Sequence, residues 1–255
     1  MNPPALPTRR LLGAALLLAA VALPAQALEI RWGSGTTVTG SGKLATETRS
    51  VSGFEAISVQ GPVDVVVRQS GREAVEVQAD DNVLPLIETV VEEGAKGRTL
   101  VVRLRKGHSL RSHQDLSVTV DVNRLTALST AGSGDVRIGA LKTPSLRLSI
   151  AGSSDARVEG LQADEFTISI AGSGDIQAGG SAQRVKLSIA GSGDARLAPL
   201  QADDVSVSIS GSGDAEVTAN KTLSVSIAGS GDVAYRGTGT VVKSSVAGSG
   251  SVTRR

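Results

Sequence analysis

Six aspartates recur at a nearly constant interval: Asp135, Asp155, Asp175, Asp194, Asp214 and Asp232, spaced 20, 20, 19, 20 and 18 residues apart. Carboxylates gathered in one column could do two kinds of chemistry. Their oxygens could accept hydrogen bonds from backbone N–H groups of the glycine-rich corner that carries them, a local Asx-type turn. They could also bind hard cations such as Ca²⁺, which take carboxylate and carbonyl oxygens. If the carrying segments stack as strands, the column has a spacing of ~4.8 Å, and like charges that close repel. One of the two arrangements must offset that repulsion, and Asp64 is a candidate for the head of the same column.

Other reactive side chains are few. Ser133, Ser173, Ser192, Ser212 and Ser230 sit next to the aspartates, but a serine nucleophile needs a base held by a third group. The chain has two histidines, His108 and His113, both in the polar stretch 106–114 and outside the aspartate interval. No catalytic triad or cofactor-binding motif is present, and the expectation is of a protein that is not an enzyme. Arg103, Arg105, Lys106, His108 and Arg111 form one local basic run that could meet a polyanion or simply face solvent. Cysteine is absent, so disulfides, thiolate metal sites and cysteine nucleophiles are excluded.

The elements that must position the aspartates are legible as a repeat. Ala131-Gly132-Ser133-Gly134-Asp135 returns at 151–155, 171–175, 190–194, 210–214 and 228–232, and a last copy at 247–251 ends in Ser251. Before each copy stands a period-two apolar stretch, such as Leu146-x-Leu148-x-Ile150 or Val205-x-Val207-x-Ile209. After each comes a shorter one, such as Val136-x-Ile138 or Ala215-x-Val217. Alternation of this kind marks a strand with one buried face. The intervening glycines supply the positive φ that a sharp corner needs. A unit of strand, glycine corner, strand and return loop is one coil of a solenoid, which buries its apolar face only by stacking on its neighbours.

The predicted fold is therefore all-β, a right-handed parallel β-helix with coils of roughly twenty residues. Aromatic residues make up only 2% of the chain, which suits thin layers filled by Val, Leu, Ile and Ala. Residues 128–255 are expected to form the regular coils. Residues 50–127 are expected to supply irregular first coils that also cap the array: Ser58 to Val67 aligns with Ser149 to Val158 as a worn copy, and Asp81 to Ile87 looks like a turn or short helical segment. Residues 28–49 read as a flexible leader or an edge strand.

Residues 1–27 have the three parts of a signal peptide. Arg9 and Arg10 precede the apolar run Leu11 to Leu23, and Pro24 leads into Ala25-Gln26-Ala27, a small-x-small cleavage pattern. The apolar run falls short of the ~20 residues that span a bilayer. The expectation is an exported protein, periplasmic, surface-located or secreted, with no transmembrane span after cleavage. Removing residues 1–27 takes away two arginines and no acid, leaving 24 basic against 25 acidic residues. That balance argues against a nucleic-acid partner.

The stretch Arg49-Ser50-Val51-Ser52-Gly53-Phe54-Glu55-Ala56-Ile57 is followed by Val59-x-Gly61-x-x-Asp64-Val65-x-Val67. Then come Val75-Glu76-Val77-x-x-Asp80, Gly97-x-Thr99-Leu100-Val101-Val102 and the Gly-Ser-Gly-Asp ladder. Over about residues 47–252 this arrangement resembles the bacterial head GIN domain family of adhesin-like proteins, also filed as a domain of unknown function. The resemblance implies a right-handed β-helix exported to the periplasm or cell surface. It brings no catalytic residues. A membrane β-barrel, with at least about eight strands of ~10 residues, does not follow the ladder in this sequence, so surface display is expected to use another route.

Three function classes fit these readings. One is a binding or adhesion module that offers a repetitive Ser, Thr, Gly and Asp face to a glycan or an envelope or surface protein. Another is a structural or stress-related envelope scaffold. The last is a polysaccharide-active enzyme, which rests on fold analogy and is weakened by the scarcity of aromatics for stacking on sugars. Oligomeric state is not readable from the residues.

Overall fold

Alternation along the chain decides which side chains turn inward. In the strand Ala156–Gly172, Ala156, Val158, Leu161, Phe166, Ile168 and Ile170 are buried, while Arg157, Gln162 and Ser169 face outward. The structure is a computed structural model that describes residues 36–94, 97–111 and 114–255. The signal-peptide reading of residues 1–27, and with it Trp32 and His113, lies outside the described residues. The described strands stack into a β-solenoid of about six turns. Outside the strands the regular structure described is the 3₁₀ turn Leu84–Leu86, within the stretch expected to be a turn or short helical segment.

Stacking is in register, coil on coil. Ile150, Ile170, Ile189, Ile209 and Ile227 are successive partners on parallel strands, and all five are buried. Burying each such side chain contributes about 1.5–3 kcal/mol. Phe166 is buried in the column that runs Leu146, Phe166, Val185, Val205, Leu223. The return segment differs from the expected loop. Val136–Gly152, Ala156–Gly172, Ile176–Gly191, Ala195–Gly211 and Ala215–Gly229 are each one unbroken strand. Each runs from the residue after one aspartate, around a bend, to the glycine of the next Ala-Gly or Ser-Gly pair. Only Ser-Gly-Asp, or Ser-Ser-Asp at residues 153–155, interrupts the ladder, because the bend keeps parallel partners on both sides and gives up few backbone bonds.

The glycine before each such triplet is required twice over. Gly172 has φ +133°, and a Cβ placed on it would lie 2.2 Å from the backbone oxygen of Gly152 in the coil below. The same holds at Gly191, with φ +133° and a Cβ 2.1 Å from the Gly172 oxygen. No side chain fits where corner backbones approach this closely.

Residues 50–127 do not stack in sequence order. The strand Ala56–Gly61 pairs in parallel with Ala127–Gly132 on one side and with Gly97–Leu104 on the other. Its continuation Asp64–Gln69 lies between residues 136–138 and Ser117–Val122 in the same way. The worn copy is thus an interior coil, and the later residues 97–122 form the coil outside it. That outer coil is closed by antiparallel strands. Ile87–Gly94 pairs with Gly97–Leu104, and Ala74–Asp80 pairs with both Ser117–Val122 and Leu44–Arg49. Changing from parallel to antiparallel pairing covers a solenoid edge that would otherwise present unpaired backbone groups. Leu44–Arg49 is the outermost strand of that antiparallel group, and Thr36–Thr39 pairs separately with His108–Arg111.

Candidate functional site

The six aspartates form the expected column, and the structure shows what their carboxylates do. At the Ser-Gly-Asp corner the ladder is interrupted, so the aspartate N–H lacks a strand carbonyl. It donates instead to Oδ1 of the aspartate one coil earlier. The Asp175 N–H reaches Asp155 Oδ1 at 2.9 Å, Asp194 reaches Asp175 at 2.9 Å, Asp214 reaches Asp194 at 3.0 Å and Asp232 reaches Asp214 at 2.8 Å. Asp155 to Asp135 is longer, at 3.4 Å. Asp64 heads the column and accepts the Asp135 N–H at 2.8 Å. Ser251 closes it, with both its N–H (2.8 Å) and its hydroxyl (2.9 Å) donating to Asp232 Oδ1.

The rest of the corner is satisfied by backbone. The Ser173 N–H donates to the Gly152 oxygen at 2.9 Å, and the Ala156 N–H to the Asp175 oxygen at 2.8 Å. Hydrogen bonds to a charged acceptor are stronger than neutral ones, and they offset the repulsion between neighbouring carboxylates. Arg196 adds to this by bridging two coils, with contacts of 3.0 Å to Asp175 Oδ2 and 3.5 Å to Asp194 Oδ2. Among the described residues, no three His, Asp or Glu side chains converge as a metal-binding group. For Ca²⁺ the column therefore offers outward oxygens only, since Oδ1 of every member from Asp64 to Asp232 is already an acceptor.

The serines next to the aspartates keep the same regular spacing along the corner. His108 lies on the separate two-stranded sheet, its Nδ1 3.3 Å from the Lys106 carbonyl oxygen. The basic run is partly consumed within the cap. Arg103 pairs with Glu88 at 3.1 Å and Glu92 at 3.1 Å across the antiparallel hairpin. The Glu88 hydrogen bond, foremost, raises its pKa. Arg105 reaches the Pro85 carbonyl at 3.2 Å and Glu88 at 3.8 Å. An anion arriving at Arg103 or Arg105 meets a cation already engaged by carboxylates.

A feature not singled out from the sequence is a groove of about 580 Å³ at the return bend, the side of each coil away from the glycine corner. It crosses successive coils and is lined by polar side chains, among them Lys142, Gln162, Asp164, Gln183 and Gln201. A signal for it was present. Gln162-Ala163-Asp164 recurs two coils later as Gln201-Ala202-Asp203, but the far more regular glycine corner masked it.

With the fold and its surfaces in hand, the relatives can be placed. The family model described as "Putative auto-transporter adhesin, head GIN domain" matches residues 53–239, well over half of the chain. The chain belongs to this family. Several solved structures share the architecture. A "putative adhesin" from Bacteroides fragilis superposes with a TM-score of 0.76 at 26% identity, covering 86% of this chain and 100% of that one. A "putative lipid binding protein" from Parabacteroides distasonis has a TM-score of 0.69 at 27% identity over the same shares of 86% and 100%. A "putative adhesin" from Parabacteroides merdae, at 24% identity and a TM-score of 0.67 over 86% of this chain and 99% of that one, is similar in fold. No curated protein matches the chain. Among the described residues no helix is long and apolar enough to cross a membrane.

Proposed function

We propose that this head GIN protein is an exported, non-catalytic binding module that works in an adhesin-like way against a glycan or protein of the cell envelope or surface. The observation that carries this reading is the outer surface of the stack. Ser149, Ser169, Ser188, Ser208, Ser226 and Ser245 are successive register partners, and the return bends likewise present polar side chains coil after coil. Such a surface is rigid and extended, because its corners are internally hydrogen-bonded, and it suits repeated weak contacts that add through multivalency. The adhesin descriptions of two solved neighbours support the same direction.

The lipid-binding description of the Parabacteroides distasonis neighbour carries over less well. The solenoid interior is filled by stacked Ile, Leu, Val and Phe side chains that are almost wholly buried, and a lipid tail would have to displace them. The test is retention of envelope components on the immobilised mature chain, residues 28–255, with fractionation of cells producing the full chain. The reading expects saturable retention of a glycan or protein and recovery of the chain outside the cytoplasm. Recovery in the cytoplasm, turnover of a polysaccharide, or retention of nothing, as for a pure scaffold, would overturn it.

A further inference from the structure

We infer that the return-bend groove is a binding site for an uncharged, hydroxyl-rich glycan chain lying along the solenoid axis. This rests on the reading of the chain as a binding module and names its ligand class and its residues.

The groove follows from residue size. At the return bend the inward column runs Thr143, Ala163, Ala182 and Ala202, successive register partners with small side chains. Outward residues flank it on both sides, all of them longer polar side chains except Ser181 and Pro144. The column before it is Lys142, Gln162, Ser181 and Gln201, paired in the same register. The residue after each floor position is Pro144, Asp164, Gln183 or Asp203. Two outward rows over a low floor make a channel of about 580 Å³.

The chemistry of the walls selects the ligand. Carboxamides, hydroxyls and carboxylates offer donors and acceptors side by side, which matches hydroxyl groups that both give and take. The lining holds one cation, Lys142, against Asp164 and Asp203; Lys221 Nζ sits 2.9 Å from Asp203 Oδ2, and Gln183 donates to Asp164 Oδ1 at 3.0 Å. The groove has no cationic surplus to draw a polyanion. Successive coils are separated by ~4.8 Å, close to the length of one hexopyranose residue in an extended chain. Each coil can therefore address one sugar.

The groove lining contains no aromatic ring, so no sugar gains a stacking platform and each contributes weakly. Affinity must come from length. The test titrates the mature chain with uncharged β-1,4-linked oligosaccharides from the disaccharide to the hexasaccharide, read by NMR shifts and calorimetry. Affinity should rise with each residue until the four coils that carry residues 142, 162, 181 and 201 are spanned, then level off. Gln162→Ala with Gln201→Ala should weaken the tetrasaccharide about tenfold or more and leave the thermal midpoint in place. Arg157→Ala, on another face, should change neither. Shifts confined to residues outside the groove, a flat length dependence, or equal binding by the glutamine variant would overturn the assignment. If the oligosaccharides fail while envelope components are still retained, the groove is wrong and the binding-module reading stands. If both fail, both fall.

Discussion

Thr130 Oγ1 and Ser154 Oγ lie 3.3 Å apart in adjacent coils, with Thr130 2% and Ser154 0% exposed. This pair replaces a steric rule that the other regular coils obey. At Gly174, Gly193, Gly213, Gly231 and Gly250 an added Cβ would lie 3.1 Å from the Cγ2 of Ile150, Ile170, Ile189, Ile209 and Ile227 respectively. Where the corner at residues 151–155 carries Ser154 in place of that glycine, the isoleucine position is occupied by Thr130. Two polar residues thus enter the core together and satisfy one another.

Thr130→Ile is therefore expected to destabilise the protein by about 1–3 kcal/mol, through a stranded Ser154 hydroxyl and overpacking. Adding Ser154→Gly rebuilds the pair used elsewhere and should recover most of the loss. A double-mutant cycle in denaturant measures the coupling. Additive effects of the two changes would contradict the pairing.

The positive-φ glycines should split into two classes. Gly191→Ala combines φ +133° with a Cβ 2.1 Å from the Gly172 oxygen, and a loss above about 3 kcal/mol is expected from strain and clash. Gly71→Ala has φ +76° but nothing within 4 Å, so about 1 kcal/mol of backbone strain is expected. Equal losses at the two positions, measured by denaturant midpoints, would mean that close approach between coils contributes little.

Asp214 tests what the column needs. Its Oδ1 accepts the Asp232 N–H at 2.8 Å. Asp214→Asn keeps an acceptor and removes one member of a like-charged row, so stability should stay within about 0.5 kcal/mol. Asp214→Ala strands the N–H and should lose about 1 kcal/mol. Calcium at about 1 mM should leave the melting midpoint unchanged, since only binding to the folded state raises it. A saturable rise would assign the outward oxygens to a cation.

Glu165 gives a pH signature. The hydrogen bond from Lys186, at 2.8 Å, holds its pKa below the ordinary glutamate value of 4.5. A depressed folded pKa contributes stability that is present above the unfolded value and is lost as pH falls through the folded one. Melting midpoints of the wild type should therefore drop below about pH 4.5 more steeply than those of Glu165→Gln. Asp81, lowered chiefly by its hydrogen bond from Ser41, titrates with the same sign in both proteins and cancels from the comparison. Parallel acid limbs would show that the Lys186 contact is spent on solvent.

Much of the coil was readable one residue at a time. The Ile150 to Ile227 column and the polar residues between its members announce an inward and an outward face. Gly172 and Gly191 announce a corner that no side chain tolerates. Hydrogen bonding of the column was readable as a local turn, but the Asp175 carboxylate takes the Asp194 N–H of the next coil instead. Less was readable where period-two stretches are interchangeable. Val118 and Val120 alternate as Val65 and Val67 do, so periodicity could not say that Ser117–Val122 lies outside Asp64–Gln69. Arg103 and Arg105 looked like a basic patch because Glu88 and Glu92 reach them only across a hairpin.

The amino-acid sequence alone determined the repeat length, the inward and outward faces and the glycine corner, because each answers a demand local to one strand or turn. Only the tertiary structure decided the coil order, the Thr130–Ser154 pair and the groove between Gln162 and Asp164. These depend on which residues of separate coils come to lie side by side, and stacking on ~4.8 Å centres sets that without leaving a mark within any single repeat.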